Sequence, residues 1–242
     1  MQGGGGRIIL TFGDNYGIFS TKLRYLYALM LIQQKNVSDF QSRLKLLTKV
    51  FKKDLSFMSK NTRKVDKWVL DNILNENWVK KKNFFGLTEI EKLLKKNFLI
   101  YSFYPQFNFN NNPFYKNANL HQRNKIIINS HISNKINLLC TQLRYNKKTN
   151  LENLINSFNI QISKLSFDKE ISFKVLDSIC KILFEIYEKL NVLKPNNIAN
   201  KAIKEFIKLI MKFKKNESLP LKTNNFYKFW SFYNQYCVLY KI

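Results

Sequence analysis

The chain has 242 residues, with 41 Lys and Arg against 16 Asp and Glu, for a net charge of +25. Such a surplus argues against an ordinary metabolic enzyme and for a polyanionic partner. Apolar residues make up 45 % and aromatics 15 %, which excludes a disordered basic tail, because such a tail lacks the apolar surface to fold.

The elements follow in chain order. Gly3–Gly6 is a glycine-rich stretch with no Gly-Lys-Ser/Thr after it, so it reads as an arm and not as a phosphate loop. Arg7 to Gly13 predicts a short strand closed by the turn-prone Gly13-Asp14-Asn15-Tyr16-Gly17. Leu23, Tyr27, Met30 and Leu31 then share one helical face. Ser38 with Gln41 predicts a capped helix whose stripe is Leu44, Leu47, Val50 and Phe51. Asn61 is the expected cap of a segment through Val65, Trp68, Val69, Asn72 and Ile73. Thr88 with Glu91 predicts a helix over Ile90–Phe98, and Thr149 with Glu152 another over Leu151–Leu165. Between them, residues 101–120 hold Pro105, Pro113 and an Asn/Phe-rich core, which predicts an irregular linker. Ser172–Asn191 and Asn197–Lys215 predict two further helices, and residues 225–240 a last, aromatic one.

The expected fold class is mainly α, a helical bundle with a short strand element near the N-terminus. The expected organisation is an N-terminal helical domain over 1–100, a linker over 101–120, and a C-terminal helical RNA-binding domain over 121–242. The longest apolar run, Tyr25–Ile32, is eight residues, whereas a membrane span needs about 20, so no spanning helix is expected.

Three features bear on function. Between Glu91 and Glu152 there is no acid, while Lys92, Lys95, Lys96, Lys116, Arg123, Lys125, Lys135, Arg144, Lys147 and Lys148 fall in that window. A solvated helical face usually mixes signs, so a one-sign window points to phosphates. Second, Lys201, Lys204, Lys208, Lys212 and Lys215 recur at steps of three and four, one basic ridge interrupted only by Glu205, with Ile203, Phe206, Ile207 and Ile210 on the docking side. Third, Phe226, Phe229, Trp230 and Tyr233 lead an aromatic cluster, expected to pack or to form a protein interface, with base stacking as the other use.

Catalytic chemistry is not legible. His121 and His131 are expected at the surface or on RNA. Glu185 and Glu188 are expected to pair with Lys181 and Lys189. Cys140, Cys180 and Cys237 have no metal or redox spacing, so free buried thiols in a reducing compartment are expected. Neither a metal nor another cofactor, nor a small-molecule substrate, is implied.

The chain counts 35 Lys, 31 Asn and 24 Ile but only 7 Gly and 6 Arg, the bias of an AT-rich genome. With no import-type leader at the start, the expectation is synthesis inside an organelle, a mitochondrion, with a cytosolic protein of an AT-rich protist as the alternative. Residues 136–151, Ile-Asn-Leu-Leu-Cys-Thr-Gln-Leu-Arg-Tyr-Asn-Lys-Lys-Thr-Asn-Leu, resemble the opening of the bacterial-type small-subunit ribosomal protein seven family, in which a first helix ends in a Gly-Lys-Lys turn. Residues 197–201 and Phe229-Trp230-Ser231-Phe232-Tyr233 look like that family's last helices. The resemblance covers residues 120–236, with Asn146 where the family has its turn glycine and no counterpart of its basic hairpin between Phe167 and Phe173. It implies that Arg144, Lys147 and Lys148 touch ribosomal RNA in the small-subunit head. The expected function is thus a non-enzymatic constituent of an organellar ribosome, with ribosomal RNA and neighbouring ribosomal proteins as partners. A matrix-side assembly subunit of a respiratory complex and a free RNA-processing factor are the alternatives.

Overall fold

The computed structural model describes residues 6–57, 63–82, 84–105, 119–140 and 150–242. Lys116, Arg144, Lys147, Lys148, the caps Asn61 and Thr149, and the Asn/Phe-rich core 107–112 lie outside the described residues. The fold is mainly α with a small three-stranded sheet that includes an N-terminal strand. The expected boundary at 101–120 does not separate consecutive halves. Two compact units are each built from separated segments: 1–18, 83–150 and 231–242 form the first, and 19–82 and 151–230 the second.

The first unit is an antiparallel sheet under two helices. β1 (Arg7–Phe12) and β2 (Phe98–Tyr104) flank β3 (Gln235–Lys241). Strand alternation sends Leu10, Phe12, Ile100, Phe103, Cys237 and Leu239 to one face, where they pack on Leu87, Ile90 and Ile127. Those last residues come from α5 (Leu87–Leu94) and α6 (Leu120–Asn134). The box opening α5 is shifted from the expected Thr88 and Glu91: the Glu89 carboxylate accepts from Gly86 N–H at 2.9 Å and from Thr88 Oγ1 at 3.1 Å. In α6, Asn119 and Gln122 form a reciprocal box. The turn after β1 is tight because the Asp14 carboxylate accepts from Gly17 N–H at 2.8 Å. A Cβ on Gly17 would collide with the Phe232 carbonyl.

In the second unit, α1 (Phe19–Gln34) is the central rod. It has no single apolar stripe: Phe19 through Ile32 are all buried, including Lys22 and Arg24. It ends at Asn36, whose φ of 51° is left-handed. There Val37 N–H donates to the Ile32 carbonyl and Asn36 N–H to that of Gln33, a Schellman ending. Asn216, φ 57°, ends the helix Ile198–Lys214 in the same way. In a chain with 7 Gly and 31 Asn, asparagine fills the position that glycine usually takes.

α2 (Phe40–Phe57) is capped by Asp39, which accepts from Ser42 N–H at 2.9 Å, and not by the expected Ser38. α3 (Val65–Val69) continues into a π-helical turn (Leu70–Leu74), and Asn75 caps α4 (Glu76–Val79). Next come α7 (Glu152–Ile162), α8 (Phe173–Leu193) and α9 (Ile198–Lys214). The last two match their expected bounds within a residue or two. Among the described residues no helix is long and apolar enough to cross a membrane.

The aromatic helix expected over 225–240 is absent. Phe226–Lys228 is a single 3-10 turn, residues 229–234 are irregular, and 235–241 are strand β3. Phe226, Phe229 and Trp230 are buried in the chain's own core and are not a partner interface, whereas Tyr233 is half-buried. Their burial follows from Arg24. Its guanidinium sits 3.8 Å from the Trp230 ring and 4.9 Å from that of Phe226, and donates to the carbonyls of Phe229 (2.9 Å), Phe226 and Tyr227 (3.4 Å each). Its Nε donates to Asp54 at 2.9 Å. Burial pushes the Asp54 carboxyl above its usual range, and the adjacent Arg24 offsets only part of that rise.

Candidate nucleic-acid interface

The lysine ridge survives as geometry. The Asn197 side chain accepts from Asn200 N–H at 3.0 Å and starts α9 on a fixed phase. Ala199, Ala202, Ile203, Phe206, Leu209, Ile210 and Phe213 are then buried, and Lys201, Lys204, Lys208, Lys212 and Lys215 are exposed. Ile207, expected to dock, is half-buried. At 1.5 Å per residue the ridge is about 21 Å long, with charges about 4.5–6 Å apart along the axis. Each step lies within a Debye length of roughly 8–10 Å, so the lysines repel one another. Like-charge pairs at such spacing each cost about 0.2–0.5 kcal/mol, so the four steps oppose folding by roughly 1–2 kcal/mol.

Glu205 has a use that its sequence position hides. Its carboxylate accepts from the backbone N–H groups of Asn224 and Asn225 (2.7 Å each) and of Phe226 (2.9 Å). The single acid of the ridge thus anchors the loop that leads to the aromatic core around Arg24. That docking creates a groove of about 370 Å³ lined by Lys201, Lys204, Lys208, Glu205, Asn224 and Asn225. Three ammonium groups and two amides around a concave surface suit phosphate oxygens.

The acid-free window maps onto the first unit. Lys92, Lys95 and Lys96 are exposed at the C-terminal end of α5, where they also complement its dipole, and Lys125 is exposed on α6. Two members of the window are engaged within the chain. Lys135 is half-buried with its ammonium 5.1 Å from the Tyr16 ring, and Arg123 lies 4.4 Å from the Tyr101 ring. His131 is buried, against the expectation of a surface or RNA-contacting residue. It meets the edge of Phe103 at 5.0 Å, and burial pushes its pKa down to about 3. His121 is exposed. Where the family resemblance implies helix, residues 135–138 are a 3-10 turn and 229–233 are irregular.

A second pocket, of about 590 Å³, lies in the second unit between Leu29, Ile32, Arg43, Phe167 and Asp168. Its lining holds no histidine or cysteine. Arg43 is committed to the Val37 carbonyl (3.2 Å) and to Asp168 (3.4 Å). Cys140 and Cys237 are buried free thiols and Cys180 is half-buried; burial pushes Cys180 up to about 11 and Cys237 to about 12, so neither is an activated nucleophile. Among the described residues no cluster of His, Cys, Asp and Glu could hold a metal ion. No protein-family model matches the sequence, and no curated protein and no solved structure matches it.

Proposed function

We propose that the protein is a non-enzymatic, RNA-bound structural constituent of an organellar ribosome, the small subunit of a mitochondrial one. The observation that carries this is the exposed ridge Lys201–Lys215 with its groove at Asn224 and Asn225. Like charges held at this spacing oppose folding unless a polyanion neutralises them, and ribosomal RNA supplies phosphates at a matching density. Lys92, Lys95, Lys96 and Lys125 add a second set of exposed cations, with no acid in sequence between Glu91 and Glu152. The finer kinship with the small-subunit ribosomal protein seven family rests on the residue text of 136–151 and 197–201.

One observation favours a second reading, a peripheral subunit of a respiratory membrane complex. Met211 is 47 % exposed between the ridge lysines, as on helices that lie at a lipid surface. Sedimentation of the native protein separates the two. Co-migration with a ribosomal subunit that ribonuclease abolishes is the expected result. Co-migration with a detergent-sensitive membrane complex, indifferent to ribonuclease, would replace the first reading by the second.

A further inference from the structure

One face of the sheet is covered by α5 and α6; the opposite face has a composition of its own. Register places Ile9 and Thr11 of β1 beside Val238 and Tyr236 of β3, and Ser102 and Tyr104 of β2 beside the same two residues. A bulge between Ile100 and Ser102 leaves Tyr101 without a cross-strand partner. Ile9 is 71 %, Tyr104 44 % and Tyr236 41 % exposed. Tyr104 and Tyr236 are cross-strand partners whose rings lie parallel, 4.8 Å apart with an interplanar angle of 9°. Each ring covers one face of the other, and the pair stays more than two-fifths exposed, so a further ring can extend the stack. Farther along the strands the guanidinium groups of Arg7 and Arg123 lie 4.8 and 4.4 Å from the Tyr101 ring.

The charge around this face has one sign. None of the three strands contains an acid, and neither does α6. The whole first unit has twelve Lys and Arg against three acids, whereas the second has twenty-nine against thirteen. Of the three, Asp14 and Glu89 are turned onto the backbone N–H groups of Gly17 and Gly86. An anionic partner would complement this surplus. Open aromatic rings select among polyanions: they stack on a base only if that base is not already paired and stacked in a duplex.

We propose that this open sheet face binds single-stranded RNA, stacking unpaired bases on the Tyr104–Tyr236 pair, with the exposed cations of this acid-poor unit taking the adjoining phosphates. The proposal rests on the RNA-bound reading above but assigns a different surface and a different chemistry from the lysine ridge. Each stacked base contributes enough that removing its ring weakens binding roughly five- to a hundredfold.

The test uses the full chain and two probes, a fluorescently labelled single-stranded oligouridine of about a dozen nucleotides and an RNA duplex of equal length. Tyr104→Leu and Tyr236→Leu should each weaken single-strand binding about tenfold, leave duplex binding and the salt slope of duplex binding unchanged, and be rescued by Tyr→Phe at the same position. Photocrosslinking of the unaltered protein to 4-thiouridine RNA should mark the peptides of β2 and β3, a readout that no folding defect can imitate. Leucine variants that bind the single strand like wild type, or crosslinks confined to α9, would overturn the stacking platform while leaving the phosphate reading intact. Leucine variants that keep RNA binding but lose co-sedimentation with the ribosome would overturn it in favour of a protein contact. Absence of binding to either RNA would overturn both readings.

Discussion

Arg24 is the residue on which the second unit's packing most depends, so its removal is the sharpest stability test. Arg24→Met keeps an apolar stem of similar length beside Trp230 and removes the guanidinium. The Asp54 carboxylate, whose side chain is 8 % exposed, loses the donor at 2.9 Å. The carbonyl of Phe229 loses its 2.9 Å donor, and those of Phe226 and Tyr227 lose longer ones. Breaking one side of a buried pair costs about 3–5 kcal/mol, because the other charge stays behind unpaired. Adding Asp54→Leu removes that orphan, so the double variant should be more stable than Arg24→Met alone, with a coupling energy of roughly 2–3 kcal/mol. Urea unfolding followed by tryptophan fluorescence reads this directly, since Trp68, Trp78 and Trp230 all belong to the second unit. A loss below 1 kcal/mol for Arg24→Met, or a coupling near zero, would refute the argument that this pair organises the core.

Two further outcomes follow from buried groups. His131 has its pKa pushed down to about 3, so it is neutral in the fold while the unfolded chain takes up a proton below about 6.5. Its contribution is therefore intact above pH 6.5 and falls as pH drops toward 3, by about 2 kcal/mol at pH 5. His131→Leu should flatten this part of the stability profile measured by circular dichroism, and an unchanged profile would contradict the assignment. Glu205→Ala removes the acceptor of three backbone N–H bonds, a loss of about 2 kcal/mol at this half-exposed site. Glu205→Gln should retain about half of that, and an alanine variant with the wild-type urea midpoint would deny the anchoring role.

Sequence reading succeeded where one element settles its own phase. In α8 and α9 the apolar positions recur at three and four, and Ser172 and Asn197 mark the starts, so bounds and ridge were both legible. It failed where pairing is remote. β1 and β3 are more than two hundred residues apart, and the aromatics of Gln235–Lys241 fit a helical spacing as well as a strand's until a partner is known. β2 was divided between a helix and a linker for the same reason. The one local signal was Phe98–Tyr104 itself, seven residues rich in aromatic and β-favouring side chains and closed by Pro105. Arg24 and Lys22 were invisible because a cation beside an apolar run is usually a solvated edge. Here the run Tyr25–Ile32 was buried on every side and took its polar flank inward. The open sheet face could not be seen from sequence, because it exists only once three distant strands align.

The central claim is that the α9 lysines bind RNA phosphates. The most direct measurement is the salt dependence of RNA affinity for wild type and for Lys201→Gln, Lys204→Gln, Lys208→Gln and Lys212→Gln combined. Each lost phosphate contact lowers the slope of log K against log salt by about 0.7–0.9, so the combined variant should lose about three slope units while its thermal midpoint holds or rises. Weaker affinity with an unchanged slope, or no change in either, would contradict the account.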